Sequence, residues 1–176
     1  MREKTPHAAR EEARGPVLGI DPDTRRIAFA FVNRAGRVRA VRTVERADSR
    51  GRVRADYDAA LAGLFERAAQ HEATVYAEGI FLRDRRRGSV VGFRSLAEVQ
   101  GEMKAAARRA GVRLETVAAS TWRAPVLGFT RDRARLKAAA MKRARQHWAG
   151  ALTEHEADAV CIALYGATAA ARAGAA

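Results

Sequence analysis

The sequence predicts an α/β fold: a mixed sheet, made of a three-strand meander plus two parallel strands, flanked by helices. Three observations predict it. The apolar runs VLGID (17–21) and RIAFAFV (26–32), joined by the turn-forming PDT, and the alternating RVRAVRTV (37–44) read as consecutive strands of a meander. The short apolar run TVYAEGI (74–80) follows a helical segment, which is how a chain returns parallel to an earlier strand, and VRLETVA (112–118) repeats the arrangement. Apolar residues at helical spacing occupy the segments between these strands and the C-terminal part of the chain. The expected order is βββ-α-β-α-β-α-α.

Each helical segment has its own signature. ADYDAALAGLFERAAQ (55–70) places Leu61, Leu64 and Phe65 on one face. A basic loop, FLRDRRRGSVVGF (81–93), leads into RSLAEVQGEMKAAARRAG (94–111), which Gly111 ends. ASTWRAPVLG (119–128) offers Ser120 as a helix N-cap, with Trp122 and Val126 behind it. The basic segment RDRARLKAAAMKRARQHW (131–148) and the final EHEADAVCIALYGATAAARA (154–173) read as two further helices. In the last of these, Ala157, Val160, Cys161 and Leu164 form the stripe expected to face the core.

The chain has 176 residues, enough for one domain with a proper core. Residues 16–176 are expected to form that domain, and 1–15, MREKTPHAAREEARG, a charged, disordered and solvated tail. This tail has no apolar h-region, so it does not read as a secretory signal. No apolar run approaches the ~20 residues of a membrane span. Cys161, the single cysteine, excludes an internal disulfide and fits a reducing compartment, so the expected location is the cytoplasm. A formal net charge of +13 is the electrostatic footprint of a polyanion binder, although an arginine- and alanine-biased composition accounts for part of it.

The chemistry-bearing residues are carboxylates. Asp21 and Glu78 each stand at the C-terminal end of a short, otherwise apolar strand. On neighbouring strands they would lie ~4.8 Å apart, close enough to repel unless one is protonated or a cation lies between them. Such strand ends are where open α/β sheets place their sites. On the last helix, His155 and Asp158 are spaced i, i+3 and share a face near the N-terminus; Glu154 can share it, and Glu156 points away. Carboxylates and a neutral imidazole are good ligands for divalent metals.

Four elements, GIDPDT, YAEGIF, STWRAPVLG and HEADAVCIAL, in that order and spacing, resemble the RuvC-type Holliday-junction resolvases, which have a ribonuclease H-like fold. The resemblance spans about residues 17–170. It implies that Asp21, Glu78 and Asp158 are the catalytic acids, with His155 where family members carry Asp or His. It implies Mg²⁺, two ions per site and with Mn²⁺ as a substitute, held by Asp21, Glu78, His155 and Asp158. Phe81 matches an aromatic set against bases near the crossover, and Arg123 a basic residue near the scissile phosphate. Arg83, Arg85, Arg86 and Arg87 would neutralise further phosphates. The implied partners are a four-way DNA junction and a second copy of the chain, paired through the helix at 94–110. The implied activity is hydrolysis by paired symmetric nicks that leave 5′-phosphate and 3′-hydroxyl ends.

The chain departs from the family pattern at Asp23, where glycine is usual, and in the strongly basic loop after Glu78. Other readings share some of these residues. A ribonuclease H-like nuclease acting on RNA or flaps would keep the acids without needing Phe81 or a dimer. A non-catalytic nucleic-acid-binding module would need only the charge. An ATP-binding protein of the actin and sugar-kinase type shares the GIDxxT start, but its two lobes need a longer chain and Asp23 hinders close approach of a phosphate.

Overall fold

The computed structural model describes residues 15–48, 50–79 and 90–173. Five strands, β1 (Val17–Pro22), β2 (Arg26–Val32), β3 (Val38–Glu45), β4 (Thr74–Glu78) and β5 (Leu114–Val117), form one sheet in the order β3-β2-β1-β4-β5. The pairs β1–β2 and β2–β3 are antiparallel, while β1–β4 and β4–β5 are parallel. The meander and the two parallel strands are thus both present. Five helices accompany them: α1 (Tyr57–Gln70), α2 (Val90–Ala110), α3 (Ala119–Leu127), α4 (Arg133–Arg145) and α5 (Glu154–Ala173).

The helix count and some boundaries differ from expectation. The stretch around Trp122 forms a helix of its own, so three helices follow β5 rather than two. Ser120 does not cap it: α3 starts one residue before Ser120, after an extended Ala118 that makes no side-chain cap bond. Helix α4 begins at Arg133 rather than 131 because the Asp132 carboxylate accepts hydrogen bonds from the backbone N–H groups of Ala134 and Arg135. Helix α2 starts at Val90, four residues before the expected 94. At the start of α5, Thr153 and Glu156 form a reciprocal capping box. Thr153 Oγ1 accepts from Glu156 N–H at 3.2 Å, and Glu156 Oε2 accepts from Thr153 N–H at 2.9 Å. Glu156 points away from the acids, as expected, and also accepts a hydrogen bond from Thr43 on β3.

Alternation along the strands sorts their side chains into two layers. Leu18, Ile20, Ile27, Phe29, Val75 and Ala77 pack with Leu61, Leu64 and Phe65 of α1 and Val99 and Met103 of α2. Val17, Ala28, Ala30 and Val32 point the other way and pack with Ala159, Val160 and Ala163 of α5. Helix α5 is covered on more than one side: Cys161 and Ile162 join Trp122 of α3 and Ala140 of α4 in a third cluster. Its buried surface is therefore wider than the stripe read from the sequence, and Leu164 lies only partly buried at its edge.

One residue sets how near α5 comes to the sheet. A Cβ on Gly19 would stand 2.3 Å from the backbone nitrogen of Ala163 and 2.4 Å from the carbonyl oxygen of Ala159. Glycine there lets the helix backbone lie directly against β1. On the opposite layer, the buried Arg46 donates Nε–H and Nη2–H to the two carboxylate oxygens of Glu102 on α2, at 3.0 and 2.8 Å. It also donates to the carbonyl of Thr24, tying α2 to the turn that follows Asp21.

Candidate active site

Strand parity brings the two strand acids together. The β1–β4 ladder pairs Ile20 with Ala77, so Asp21 and Glu78 follow as the next residues on adjacent parallel strands. Both lie on the α5 side, opposite in parity to the Ile20 and Ala77 side chains in the α1–α2 layer. The close approach at Gly19 then carries the first turns of α5 over these strand ends. His155 Nδ1 lies 2.6 Å from Asp21 Oδ2, and Asp158 follows one turn later.

Two neighbours on α3 hold Glu78. The fully buried Trp122 donates its indole N–H to Glu78 Oε2 at 2.9 Å, and Arg123 Nη2 donates to the same oxygen at 3.3 Å. Arg123 also lies 3.7 Å from Asp158 Oδ2, so one guanidinium spans the two acids. Trp122 was read from the sequence only as a residue behind a cap. The signal that could have found it is general: a buried indole N–H needs an acceptor, and a nearby strand-end carboxylate is a strong one.

The site strains its own acids. Burial pushes the Asp158 carboxyl up to about 7, and the negative charges of Asp21 and Glu78 add to the rise that Arg123 opposes. Burial, then Asp21, also raises Glu78, against Arg123 and the Trp122 hydrogen bond. The hydrogen bond to Asp21 raises His155 above its usual 6.5, with burial acting the other way. These are the marks of negative charges crowded into a partly dry space.

Asp21, Arg123, His155 and Asp158 line a cavity of about 500 Å³. Arg131, Arg133 and Lys137 also line it, and the sequence had marked these three only as part of a basic helical segment. Glu154 lines it too, but pairs with Lys137 across α4 and α5. Asp23 makes a turn: its Oδ1 accepts from Arg25 N–H at 2.9 Å while its own N–H donates to the Arg26 carbonyl. Phe81, Arg83, Arg85, Arg86 and Arg87 lie outside the described residues.

The donor set, three carboxylates and one imidazole, matches the chemistry that Mg²⁺ or Mn²⁺ takes. Among the described residues, no three His, Cys, Asp or Glu side chains are already gathered around one ion position. The acids are instead paired with protein groups: Asp21 with His155, and Glu78 and Asp158 with Arg123.

No protein-family model and no curated protein matches the sequence. Among solved structures, that of Thermus thermophilus RuvC matches with a TM-score of 0.63 at 18% identity, covering 85% of this chain and 92% of that one. T. thermophilus RuvC in complex with a Holliday junction substrate matches with the same TM-score and identity, covering 85% and 91%. The chain therefore has the RuvC fold, a mixed sheet of the ribonuclease H-like type with helices on its faces.

Proposed function

We propose that this protein is a metal-dependent endonuclease that resolves four-way DNA junctions by paired symmetric nicks. The reading is carried by one observation: Asp21, Glu78, His155 and Asp158 come from three separate segments of the chain to one corner of the sheet, beside Arg123. The shared fold with a RuvC solved on a Holliday junction supports it, as does the net charge of +13.

Asp21, Glu78, His155 and Asp158 are the residues that would hold the metal. When bound, two divalent ions supply an activated water and stabilise charge on the leaving oxygen. The chain's own groups do the rest. Asp21 engages Nδ1 of His155, which leaves Nε2 as the ring nitrogen that would either hold the metal or position the water and take its proton. Trp122 fixes the rotamer of Glu78. Arg123 would contact the phosphate beside the acids, while Arg131, Arg133 and Lys137 would hold the flanking backbone. Water oxygen bonds to phosphorus as the bond from phosphorus to the 3′ oxygen breaks, giving 5′-phosphate and 3′-hydroxyl ends. A junction has two equivalent scissile sites, so a symmetric dimer, built on the helix at 90–110, would cut both.

The test is a parallel digest of a mobile four-way junction, a flap, a linear duplex and an RNA–DNA hybrid with Mg²⁺ or Mn²⁺. Paired symmetric nicks on the junction are the expected result, with Asp21→Asn abolishing cleavage and keeping junction binding. Cleavage of the flap or hybrid in preference to the junction would overturn the proposal. So would junction-bound protein that sediments only as monomer.

A further inference from the structure

A second groove adjoins the acid pocket. Its volume is about 440 Å³, and Arg123, Arg131 and Leu136 line both it and the first cavity. Phe129 stands on its rim. With 85% of its surface exposed, it is the most exposed large hydrophobic among the described residues; Val53, the next, is 53% exposed. A lone exposed aliphatic side chain needs no explanation, but an aromatic held out over a groove that leads to a charged site does.

The loop that presents Phe129 is anchored at both ends. Gly128 ends α3 with φ of 83°, a conformation that strains any other residue, and its N–H donates to the Ala124 carbonyl. After Phe129, Thr130 Oγ1 accepts from Asp132 N–H, and Asp132 caps α4. The ring is therefore projected by a turn fixed between two helices. Ala119 and Ala124 make the groove wall small and apolar, while Arg123 and Arg131 give it positive charge. A flat apolar face beside two guanidinium groups, one groove away from the proposed scissile phosphate, is complementary to a nucleotide: base on the ring, phosphate on the arginines.

We propose that Phe129 and its groove bind an unpaired nucleobase of the strand entering the acid pocket. This deepens the nuclease reading and rests on it for the identity of the strand. Phe129 would select DNA whose bases are already unstacked, because a base within an intact duplex presents no face to stack. Phe129 belongs to a different segment of the sequence from Phe81.

The experiment uses the full chain in EDTA, so that binding is read without cleavage. The probes are a single-stranded oligonucleotide and a four-way junction, each carrying 2-aminopurine at successive positions, with an intact duplex as control. Wild-type protein is expected to quench one or two adjacent positions. Phe129→Leu, which keeps an apolar side chain, should abolish that quenching and weaken single-strand binding about 5- to 150-fold. Phe129→Trp should retain both, and duplex affinity should not change. Unchanged single-strand affinity and quenching in Phe129→Leu would overturn the proposal, as would an equal loss on duplex. A shift of the DNA-free protein from dimer to monomer on Phe129→Leu would also overturn it, by making the groove a self-association face. The two proposals fail separately. Absent cleavage with Mn²⁺ sinks the nuclease and leaves the binding result readable, whereas intact junction cleavage with no Phe129 dependence sinks only the groove.

Discussion

Asp158 carries the heaviest electrostatic load of the described acids, raised from the usual 3.8 to about 7. A carboxyl whose folded value lies above its unfolded one binds more protons when folded. Its contribution to stability is therefore full below about pH 4 and is lost as the pH rises through about 7. Glu78 and His155 are raised too, so all three act in the same direction. In EDTA, the protein should be more stable to urea at pH 5 than at pH 8. Asp158→Asn should flatten that profile and raise stability at pH 8 by on the order of 1–3 kcal/mol, since each unit of displacement corresponds to about 1.4 kcal/mol. A profile unaffected by the substitution would mean that Asp158 is better solvated than its burial implies. The same residues were legible in the sequence as acids at strand ends and on one helical turn. Trp122 and the placement of Arg123 between Glu78 and Asp158 were not, because both depend on where α3 lands.

At the scale of elements, the site depends on contact between β1 and α5. Gly19→Ala would drive a methyl group into the backbone of Ala159 and Ala163, where no flexible side chain can yield. The expected cost is about 3 kcal/mol, seen as a fall of about 6–12 °C in Tm. Because α5 carries His155 and Asp158, the displaced helix should also lose the 2.6 Å contact with Asp21, visible as a lower imidazole pKa by NMR titration. Gly166→Ala provides the comparison. Its Cβ would meet the Tyr76 ring at 2.4 Å, a side chain that can turn aside, so the effect should be smaller. Strand alternation and helical spacing made these elements readable one at a time. That Gly19 is the point of closest approach emerges only when the strand and helix are seen together.

Across the whole molecule, charge is unevenly used. The acids gather at one corner of the sheet, while Arg123, Arg131, Arg133 and Lys137 line the cavity that Asp21 and Asp158 open into. If these cations hold phosphates, log K for junction binding should fall steeply with log salt, and the double variant Arg131→Gln/Arg133→Gln should flatten the slope by about 2. The weakening should be uniform across junction sequences, unlike the position-dependent effect expected of Phe129. An unchanged slope would move the backbone path away from α4.

The order of the strands, the placing of Asp21 and Glu78 at strand ends and the i, i+3 pair on the last helix were all determined by the sequence itself, because they follow from local periodicity. The separate helix α3, the pairing of the acids with Arg123 and His155, and the placing of two cavities on either side of Arg123, Arg131 and Leu136 were decided by tertiary structure alone. They arise from distances between residues far apart in the chain, such as the 44 positions that separate Glu78 from Trp122. Periodicity fixes which way a side chain points, but only packing fixes what it meets.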